Sequence, residues 1–349
     1  MSSEVSSAEK GQGASGPPLR FGTLGAARIT PVALLRPARS NPDVDVVAVA
    51  ARDPTRARAF AFRHGIRRVH PSYADLLRDP ELDAVYNPLP NSLHCEWTIR
   101  ALEAGKHVLC EKPLASNAEE AERMAGVAEK TGLVLMEAFH YRYHPLARRL
   151  RELVDSGELG RVRHIEAHLC IPLLRPGDIR YDFALAGGAL MDVGCYAVNL
   201  VRYLAGEEPA VEEARALRLS PEIDRFLEAR LSFPGGLTGR ITCSLLSARA
   251  IRASARVEGT EGELRVLNPY APHLFHWVRI RTRRRSAIER VHGSSTYAHQ
   301  LRAFVSAVRD GTPFPTTARD GVANMRVLDA IYEKAGMARR GGAVLAGKE

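Results

Sequence analysis

Short apolar runs alternate with amphipathic stretches from residue 19 to about residue 137, and this alternation limits the fold more than any other feature. The predicted strands are Leu19–Gly25, Val44–Ala50, Ala84–Tyr86, Val108–Cys110 and Leu133–Glu137. The helices predicted between them span Ile29–Ala38, Pro54–His64, Tyr73–Leu77 and Ser92–Ala104, and another follows the capping residue Asn117. Strands separated by such helices form βαβ units with parallel strands. The pattern therefore predicts an α/β fold with a doubly wound parallel sheet.

The pattern changes after about His140. Val162–Ile171 alternates apolar and polar residues, as strands with one exposed face do. Similar segments follow at Phe226–Phe233, Gly239–Ser247, Ser254–Val257 and Leu264–Leu267, and helical patterns near 299–309 and 320–334 end the chain. We expect a disordered tail (1–18), a first domain (19–140), a second α+β domain with a large open, mainly antiparallel sheet (141–337) and a flexible tail (338–349).

Composition excludes several classes of protein. No apolar run approaches the ~20 residues that span a bilayer, and the first 18 residues lack the apolar core of a signal peptide. The five cysteines are widely spaced without a C-x-x-C pair, which favours free thiols in a reducing, cytoplasmic compartment. The net charge of +9 is spread among acidic residues, and the one dense run, Arg279–Arg285, alternates like a strand with a solvated basic face. We therefore expect no membrane or nucleic-acid partner. The positive charge is better explained by binding of small ligands that carry phosphate groups.

The turn after the first predicted strand lies where a dinucleotide-binding fingerprint belongs. In G-x-G-x-x-G/A, glycines let backbone N–H groups approach a pyrophosphate at a helix N-terminus. This chain has Gly25, Ala26, Ala27, Arg28, Ile29 and Thr30, so only the first glycine is kept. The residues alone leave two readings open, a cofactor site or an ordinary tight turn.

The end of the second predicted strand distinguishes between the two nicotinamide cofactors. An NAD site usually has Asp or Glu there for the ribose hydroxyls. Here Arg52 occupies the junction, and a guanidinium can hold a 2′-phosphate through two parallel hydrogen bonds. We therefore expect NADP in preference to NAD, although Arg52 could also serve only to attach the following helix.

Lys112 lies after the fourth apolar run of the parallel-sheet pattern, between Glu111 and Pro113. Only 6 of the 49 basic residues are lysines, which makes a lysine in this position notable. The carboxyl ends of strands are where open α/β sheets bind ligands, and lysine, unlike arginine, has a tunable proton. A solvated loop lysine is the alternative.

A second cluster follows at Gly187–Tyr196. Asp192 and Tyr196 are four residues apart, so a helix would present them on one face. A tyrosine beside a lysine is a credible acid/base pair, and we expect the cation of Lys112 to lower the pKa of Tyr196. A core tyrosine whose hydroxyl is satisfied by Asp192 is equally compatible with the residues.

Histidine and acidic residues elsewhere are weaker candidates. His140 and His144 have a spacing that can bind metal on a helix, but Pro145 and the neighbouring aromatic residues favour a loop at the pocket mouth, and we expect no metal. His164, Glu166 and His168 share one strand face, which favours a solvated sheet face or a subunit interface. Asp178, Arg180 and Asp182 could bind sugar hydroxyls or order their loop.

Together the motifs resemble the Gfo/Idh/MocA family (glucose–fructose oxidoreductase, inositol dehydrogenase, rhizopine catabolism). The resemblance extends over residues 19–335 and rests on Leu24–Ile29, Ala51–Pro54, Pro88–His94, Ala104–Leu114 and Gly187–Gly194. It implies an NAD(P)-binding Rossmann domain, a substrate domain, and a position for Lys112 facing nicotinamide and substrate. Tyr196 stands where the inositol dehydrogenase branch has its histidine base, which is similar to the branch of glucose–fructose oxidoreductase, dihydrodiol dehydrogenase and NADP-dependent xylose dehydrogenase.

The resemblance and the motifs together predict an NADP-preferring oxidoreductase acting on a carbinol of a sugar, polyol or cyclic diol, as a homodimer or homotetramer. Tyr196 would exchange the hydroxyl proton, Lys112 would stabilise the oxyanion, and Asp192 would orient both. Tyr141 and Arg180 are predicted to contact substrate. The predicted cofactor-binding residues are Gly25, Ala26, Ala27, Arg28, Ile29, Arg52, Pro90, Asn91, His94, Glu111 and Lys112. Two alternatives are a cofactor-binding regulator or scaffold without turnover, and an enzyme that uses NAD(P) transiently for elimination or hydrolysis.

Overall fold

The computed structural model describes residues 16–175, 177–247 and 251–341, and most of the predicted N-terminal tail lies outside these ranges. The described chain forms two sheets, one of six strands and one of eight. The strands are β1 Leu19–Leu24, β2 Val44–Ala50, β3 Arg68–His70, β4 Ala84–Asn87, β5 His107–Cys110, β6 Leu135–Glu137, β7 Val162–Cys170, β8 Ala210–Ser220, β9 Ile223–Ser232, β10 Thr238–Ser244, β11 Arg252–Gly259, β12 Gly262–Leu267, β13 Trp277–Thr282 and β14 Ser286–Glu289. The α-helices are α1 Arg36–Arg39, α2 Pro54–His64, α3 Tyr73–Leu77, α4 His94–Glu103, α5 Ala118–Thr131, α6 Pro145–Asp155, α7 Cys195–Ala205, α8 Thr296–Asp310 and α9 Ala318–Lys334.

The six-stranded sheet is entirely parallel, with the strand order β3-β2-β1-β4-β5-β6. This order has its topological switch point between β1 and β4, and ligands of such sheets bind beyond the carboxyl ends of the strands at that point. The prediction of a doubly wound Rossmann sheet is confirmed, and the sheet brings the ends of β1, β4 and β5 together.

Local signals explain where the helices begin and end. The Asp53 side chain accepts the Thr55 N–H at 2.8 Å at the start of α2, and the Asn117 side chain accepts the Glu120 N–H at 2.9 Å at the start of α5. The first predicted helix is present over most of its length, as a π-helical turn at Pro31–Leu35 followed directly by α1.

The eight-stranded sheet is mixed, with the order β14-β13-β12-β11-β7-β10-β9-β8, and only β7 and β10 pair in parallel. The predicted large, mainly antiparallel sheet is therefore confirmed. In β13 the even-numbered Val278 and Ile280 are buried while Arg279 and Arg281 are exposed, as the basic run predicts. The edge strand β8 was not predicted, because its residues are mostly exposed and show little apolar periodicity.

The last two helices pack against parts of the first domain as well as against the second. Phe304 of α8 packs on Phe21 of β1 with ring centroids 5.4 Å apart. The Glu137 N–H at the end of β6 donates to the Thr316 carbonyl at 3.0 Å, just before α9. The predicted segment 141–337 thus contributes to the packing of both sheets.

The predicted flexible tail from residue 338 is wrong at its start. Arg340 is fully buried, and its guanidinium donates to the Gly187 carbonyl and to Asp224 Oδ1, each at 2.8 Å. Residues 338–341 are therefore part of the packed structure. The bonds of the Arg340 guanidinium to Asp224 and to the Gly187 carbonyl fix the position of the chain around residue 340.

All five cysteines are free and buried. In the ranges that the structure describes, no helix is long and apolar enough to cross a membrane. The same ranges contain no group of three or more His, Cys, Asp or Glu side chains arranged to hold a metal ion.

Candidate active site

The turn after β1 approaches the neighbouring loop closely. Gly25 has φ of +92°, and its N–H donates to the Ala50 carbonyl at 2.6 Å. A Cβ at this position would lie 3.3 Å from Leu89 Cδ2, so both the backbone conformation and the space favour glycine. Ala26 and Ala27 are partly exposed and Arg28 and Ile29 are exposed, which leaves this turn open to a ligand.

Arginines with no carboxylate partner surround the same edge of the sheet. Arg52 is exposed just beyond β2, and within the described ranges neither Arg52, Arg28 nor Arg56 forms an ion pair. Tyr73, at the first turn of α3, has its hydroxyl 3.9 Å from the place of a Gly25 Cβ, and burial raises its pKa while the Arg52 backbone and charge act in the opposite direction. Tyr73 was not predicted as a site residue, because it follows the capping residue Ser72 without any motif of its own.

Lys112 lies at the carboxyl end of β5, and a cis peptide bond joins it to Pro113. Its Nζ donates to the Asp192 carbonyl at 2.8 Å and to Asp192 Oδ1 at 3.3 Å. The ammonium is also 4.9 Å from the centroid of the Tyr196 ring. The structure therefore brings together the three residues that the sequence analysis predicted to be catalytic.

Asp192 lies between two cations. Arg180 Nε is 2.9 Å from Asp192 Oδ2, on the side opposite Lys112. Burial acts to raise the pKa of Asp192, but the charges of Lys112 and Arg180 outweigh it and hold this pKa below its usual range. Burial likewise acts to lower the pKa of Lys112, and Asp192 outweighs it and raises that pKa. The site therefore contains a carboxylate and an ammonium, both charged near neutral pH.

Tyr196 differs from the expectation. Burial raises its pKa well above the ordinary value, with smaller contributions from Tyr297 and Glu111, so the predicted lowering by Lys112 is wrong. The physical reason is that the Lys112 ammonium lies over the ring face, where Asp192 neutralises it, and not at the phenol oxygen. The Tyr196 hydroxyl is instead 3.3 Å from His140 Nε2, and no bond to Asp192 satisfies it.

Glu111 and Asn91 support the loops around Lys112. The Tyr86 hydroxyl donates to Glu111 Oε1 at 2.6 Å, and burial raises the pKa of Glu111. Asn91 Nδ2 donates to the Ala186 carbonyl at 3.0 Å, which connects the loop after β4 to the second domain. Pro90, beside Asn91, is partly exposed and remains a predicted cofactor contact.

His94 is fully buried and presents no surface to a ligand in this conformation, contrary to the expectation that it lines the cofactor site. Its Nδ1 is 2.9 Å from the Pro113 carbonyl and its Nε2 is 2.8 Å from the Leu89 carbonyl. Burial lowers its pKa to about 4, although the two carbonyls favour the protonated ring. His94 thus holds two site loops together from behind.

The two predicted substrate contacts have different surroundings. Tyr141 is 1% exposed and its hydroxyl donates to Asn199 Oδ1 at 2.6 Å, so the structure does not offer this hydroxyl to a substrate. The Arg180 side chain is 41% exposed, and besides Asp192 it binds Asp178 Oδ1 at 3.1 Å. Arg180 therefore remains at the mouth of the site.

The histidines considered as metal ligands have other partners. His140 Nδ1 is 2.9 Å from Thr296 Oγ1, while His144 Nδ1 accepts the Leu146 N–H at 3.1 Å at the start of α6. His164 and His168 both lie within 3.6 Å of Glu166, but only His164 and Glu166 are partly exposed, because His168 is buried. Thr296 was missed by the sequence analysis, because no local signal links the first turn of α8 to His140.

Comparisons with known proteins agree with this arrangement. The family described as "Oxidoreductase family, NAD-binding Rossmann fold" matches residues 19–139, and the "GFO/IDH/MocA C-terminal domain" matches residues 147–265. D-xylose 1-dehydrogenase (NADP(+)) 2 of Haloferax volcanii is 37% identical over 91% of this chain and 97% of its own length. Trans-1,2-dihydrobenzene-1,2-diol dehydrogenase of Sus scrofa is 35% identical over 72% of this chain and 75% of its own length. A 3-ketoreductase from Actinomadura kijaniata, solved in complex with NADP and TDP-benzene, superposes with a TM-score of 0.84 at 32% identity and covers 91% of this chain and 98% of that one.

Proposed function

This chain belongs to the Gfo/Idh/MocA family of NAD(P)-dependent oxidoreductases, and we propose that it is an NADP-preferring dehydrogenase acting on a carbinol of a sugar, polyol or cyclic diol. The observation that supports this most strongly is the cluster of Lys112, Asp192 and Tyr196 at the carboxyl end of β5, beside the switch point of the sheet. A protein that only bound the cofactor would not need a charged ammonium–carboxylate pair beside a tyrosine.

The residues at the edge of the first sheet fit a dinucleotide. Gly25 has a positive φ and no side chain, which lets the turn approach a pyrophosphate, and Ala26 to Ile29 are accessible beside it. Arg52 is exposed and without a carboxylate partner in the described ranges, which suits the 2′-phosphate of NADP. The bound NADP of the related 3-ketoreductase agrees with this preference.

The charges of the site suit hydride exchange with an alcohol. The nicotinamide, when bound, accepts or donates the hydride. Lys112 stays protonated and stabilises negative charge on the substrate oxygen, while Asp192 fixes the position of the ammonium. Tyr196 is a neutral phenol that donates a proton to a carbonyl oxygen or accepts one from a hydroxyl.

The substrate class rests on polar groups at the site mouth and on the relatives. Arg180, with Asp178 and Asp192, offers a donor and acceptors for vicinal hydroxyls. The relatives are named for xylose and for a dihydrobenzene diol, both of which have vicinal hydroxyls. We therefore propose that the substrate has adjacent hydroxyl groups and that it does not need a large apolar group to bind.

The test is a screen of the purified protein with NADP⁺ or NAD⁺ against aldoses, polyols and cyclic diols, followed by the absorbance of reduced nicotinamide. We expect stoichiometric NADPH formation with at least one member of the panel. Tyr196→Phe should bind NADP⁺ normally and lose roughly 10²–10⁴-fold in kcat. Product formation without net NADPH would indicate transient use of the cofactor in elimination or hydrolysis and would contradict the proposal.

A further inference from the structure

A row of hydrogen bonds leads away from the Tyr196 hydroxyl. The Tyr196 hydroxyl is 3.3 Å from His140 Nε2, and His140 Nδ1 is 2.9 Å from Thr296 Oγ1. Thr296 Oγ1 is in turn 3.0 Å from His273 Nδ1. The four side chains come from α7, the turn after β6, the first residue of α8 and the loop between β12 and β13.

The inner members of this row are shielded from water. Thr296 is fully buried, His140 is 6% exposed and Tyr196 is 9% exposed. The ring of Tyr297 lies 4.1 Å from that of His140 and covers its face. The Tyr196 hydroxyl therefore cannot exchange its proton directly with bulk solvent once a bound substrate covers its remaining exposed surface.

The row ends at a cavity of about 310 Å³ that opens to solvent. His273 is partly exposed and lines this cavity together with His144, His276, Arg290 and His292. Burial lowers the pKa of His273, which disfavours a lasting positive charge on its ring. A proton that arrives at His273 is thus readily released to water.

We propose that His140, Thr296 and His273 form a proton relay between Tyr196 and this histidine-lined cavity. The inference rests on the proposed dehydrogenase function and adds a route for the proton. It follows from the same observation that corrected the sequence analysis: a neutral, buried Tyr196 can take a proton from a hydroxyl only if it passes its own proton on.

The transfer balances at each atom. The substrate O–H gives its proton to the Tyr196 oxygen while the Tyr196 proton moves to His140 Nε2. His140 gives its Nδ1 proton to Thr296 Oγ1, and Thr296 gives its own to His273 Nδ1. One proton enters and one leaves, the hydride goes to NADP⁺, and His273 releases its Nε2 proton to water. Burial, His273 and Lys112 lower the pKa of His140 to about 3, so its ring is neutral. The relay uses the tautomer with the proton on Nδ1, which leaves the Nε2 lone pair to accept. Carbonyl reduction uses the same row in reverse.

Thr296 allows a test that leaves the reacting groups untouched. Thr296→Val keeps the shape and removes the hydroxyl, and Thr296→Ser keeps the hydroxyl. We expect Thr296→Val to lower kcat for alcohol oxidation by roughly tenfold to a hundredfold, less than loss of the acid/base group itself, while the KM for NADP⁺ stays unchanged. Thr296→Ser should stay within about twofold of wild type, because its hydroxyl can still donate and accept.

His273→Ala provides a second variant at a partly exposed position, where folding is not in question. It should lower kcat similarly, and added imidazole, which fits the space left by the ring, should restore the rate. Imidazole should not restore the rate of Thr296→Val, because the hydroxyl missing from that variant is buried and imidazole cannot reach its place.

The outcomes separate the two hypotheses. Wild-type rates in both Thr296→Val and His273→Ala would overturn the relay and leave the dehydrogenase intact. If both variants are slow and imidazole restores the rate of neither, the row of hydrogen bonds has only a structural role, which also overturns the relay. Absence of turnover in the wild-type protein with the whole panel would overturn the proposed function and the relay with it.

Discussion

At the scale of single residues, the charge of Lys112 is set by its neighbours. Burial disfavours its ammonium, but the Asp192 carbonyl and carboxylate both accept from it. Lys112 is therefore a fixed cation and not a base, and proton exchange is left to Tyr196. This division of roles follows from distances that the chain alone does not give.

Lys112→Met tests this role of the ammonium. We expect kcat to fall by at least roughly 10²-fold, with only a small loss of stability, because Arg180 still pairs with Asp192. Lys106→Met is the matched control, since the Lys106 ammonium donates to the Asp79 and Leu82 carbonyls at 2.9 and 2.8 Å. That variant should unfold at lower denaturant concentration and keep its kcat once folded. Equal effects of both variants on kcat would contradict the assignment of Lys112.

Arg52→Ala tests the cofactor preference. Because only NADP⁺ has a 2′-phosphate, its binding should weaken by about 1.5–3 kcal/mol while that of NAD⁺ hardly changes. Arg58→Ala, an exposed arginine on α2 that bonds Thr55, is the control and should change neither affinity. Calorimetric titration gives both affinities, and an equal loss for the two cofactors would reduce Arg52 to a structural residue.

At the scale of elements, the end of β6 has an unusual carboxyl group. Glu137 is fully buried between the loop after β5 and the start of α9, and its Oε1 accepts the Leu114 N–H at 2.8 Å. Its Oε2 has no hydrogen-bond partner in the described ranges. Burial, followed by the charge of Asp320, raises the pKa of Glu137 to about 8. The folded state therefore holds a proton here that the unfolded chain releases above its ordinary pKa.

Glu137→Gln should change how stability depends on pH. Between the unfolded pKa of about 4.3 and the folded value of about 8, the folded state binds more protons, so the wild-type free energy of unfolding falls as pH rises. The variant should lack this component, which is on the order of 3 kcal/mol between pH 5.5 and pH 8.5. Urea unfolding at pH 5.5 and pH 8.5 measures it, and parallel pH trends in the two proteins would contradict a protonated Glu137.

At the scale of the whole molecule, the chain returns to its first sheet before it ends. Arg340 connects Asp224, the Gly187 carbonyl and, through its own carbonyl, Asn117 Nδ2 at 2.8 Å. Its guanidinium also lies 4.0 Å from the Tyr332 ring centroid. This one residue, through its side chain and its carbonyl, thereby connects the glycine pair near Asp192 to Asn117 of the first domain and to Asp224 of the second. Assembly into a homodimer or homotetramer stays a prediction.

Arg340→Met should be strongly destabilising. It would leave Asp224 buried without its cation, and such a loss costs about 3–5 kcal/mol. The neighbouring Arg339→Met removes a partly exposed pair with Asp329 and should cost at most about 1 kcal/mol. Chemical denaturation distinguishes the two, and similar midpoints would show that the Arg340 pair contributes little.

The sequence by itself determined the features that depend on neighbouring residues. The strands β1, β2, β4, β5 and β6, the cap at Asn117 and the glycine turn at Gly25 were predicted because apolar period, cap chemistry and backbone freedom are local properties. The three-residue strand β3 was not predicted, because it is too short to show a period. Lys112, Asp192 and Tyr196 were predicted as a group through the family resemblance, which contains the tertiary information that spacing lacks.

Only the tertiary structure decided which groups share a proton or a charge. Tyr196 and His140 are 56 residues apart in the chain, His140 and Thr296 are 156 apart, and Arg340 and Asp224 are 116 apart. Burial and charge, which set the pKa of Tyr196 and the surroundings of Lys112, depend on everything packed around a group. They arise only when distant segments meet, so no local pattern in the sequence encodes them.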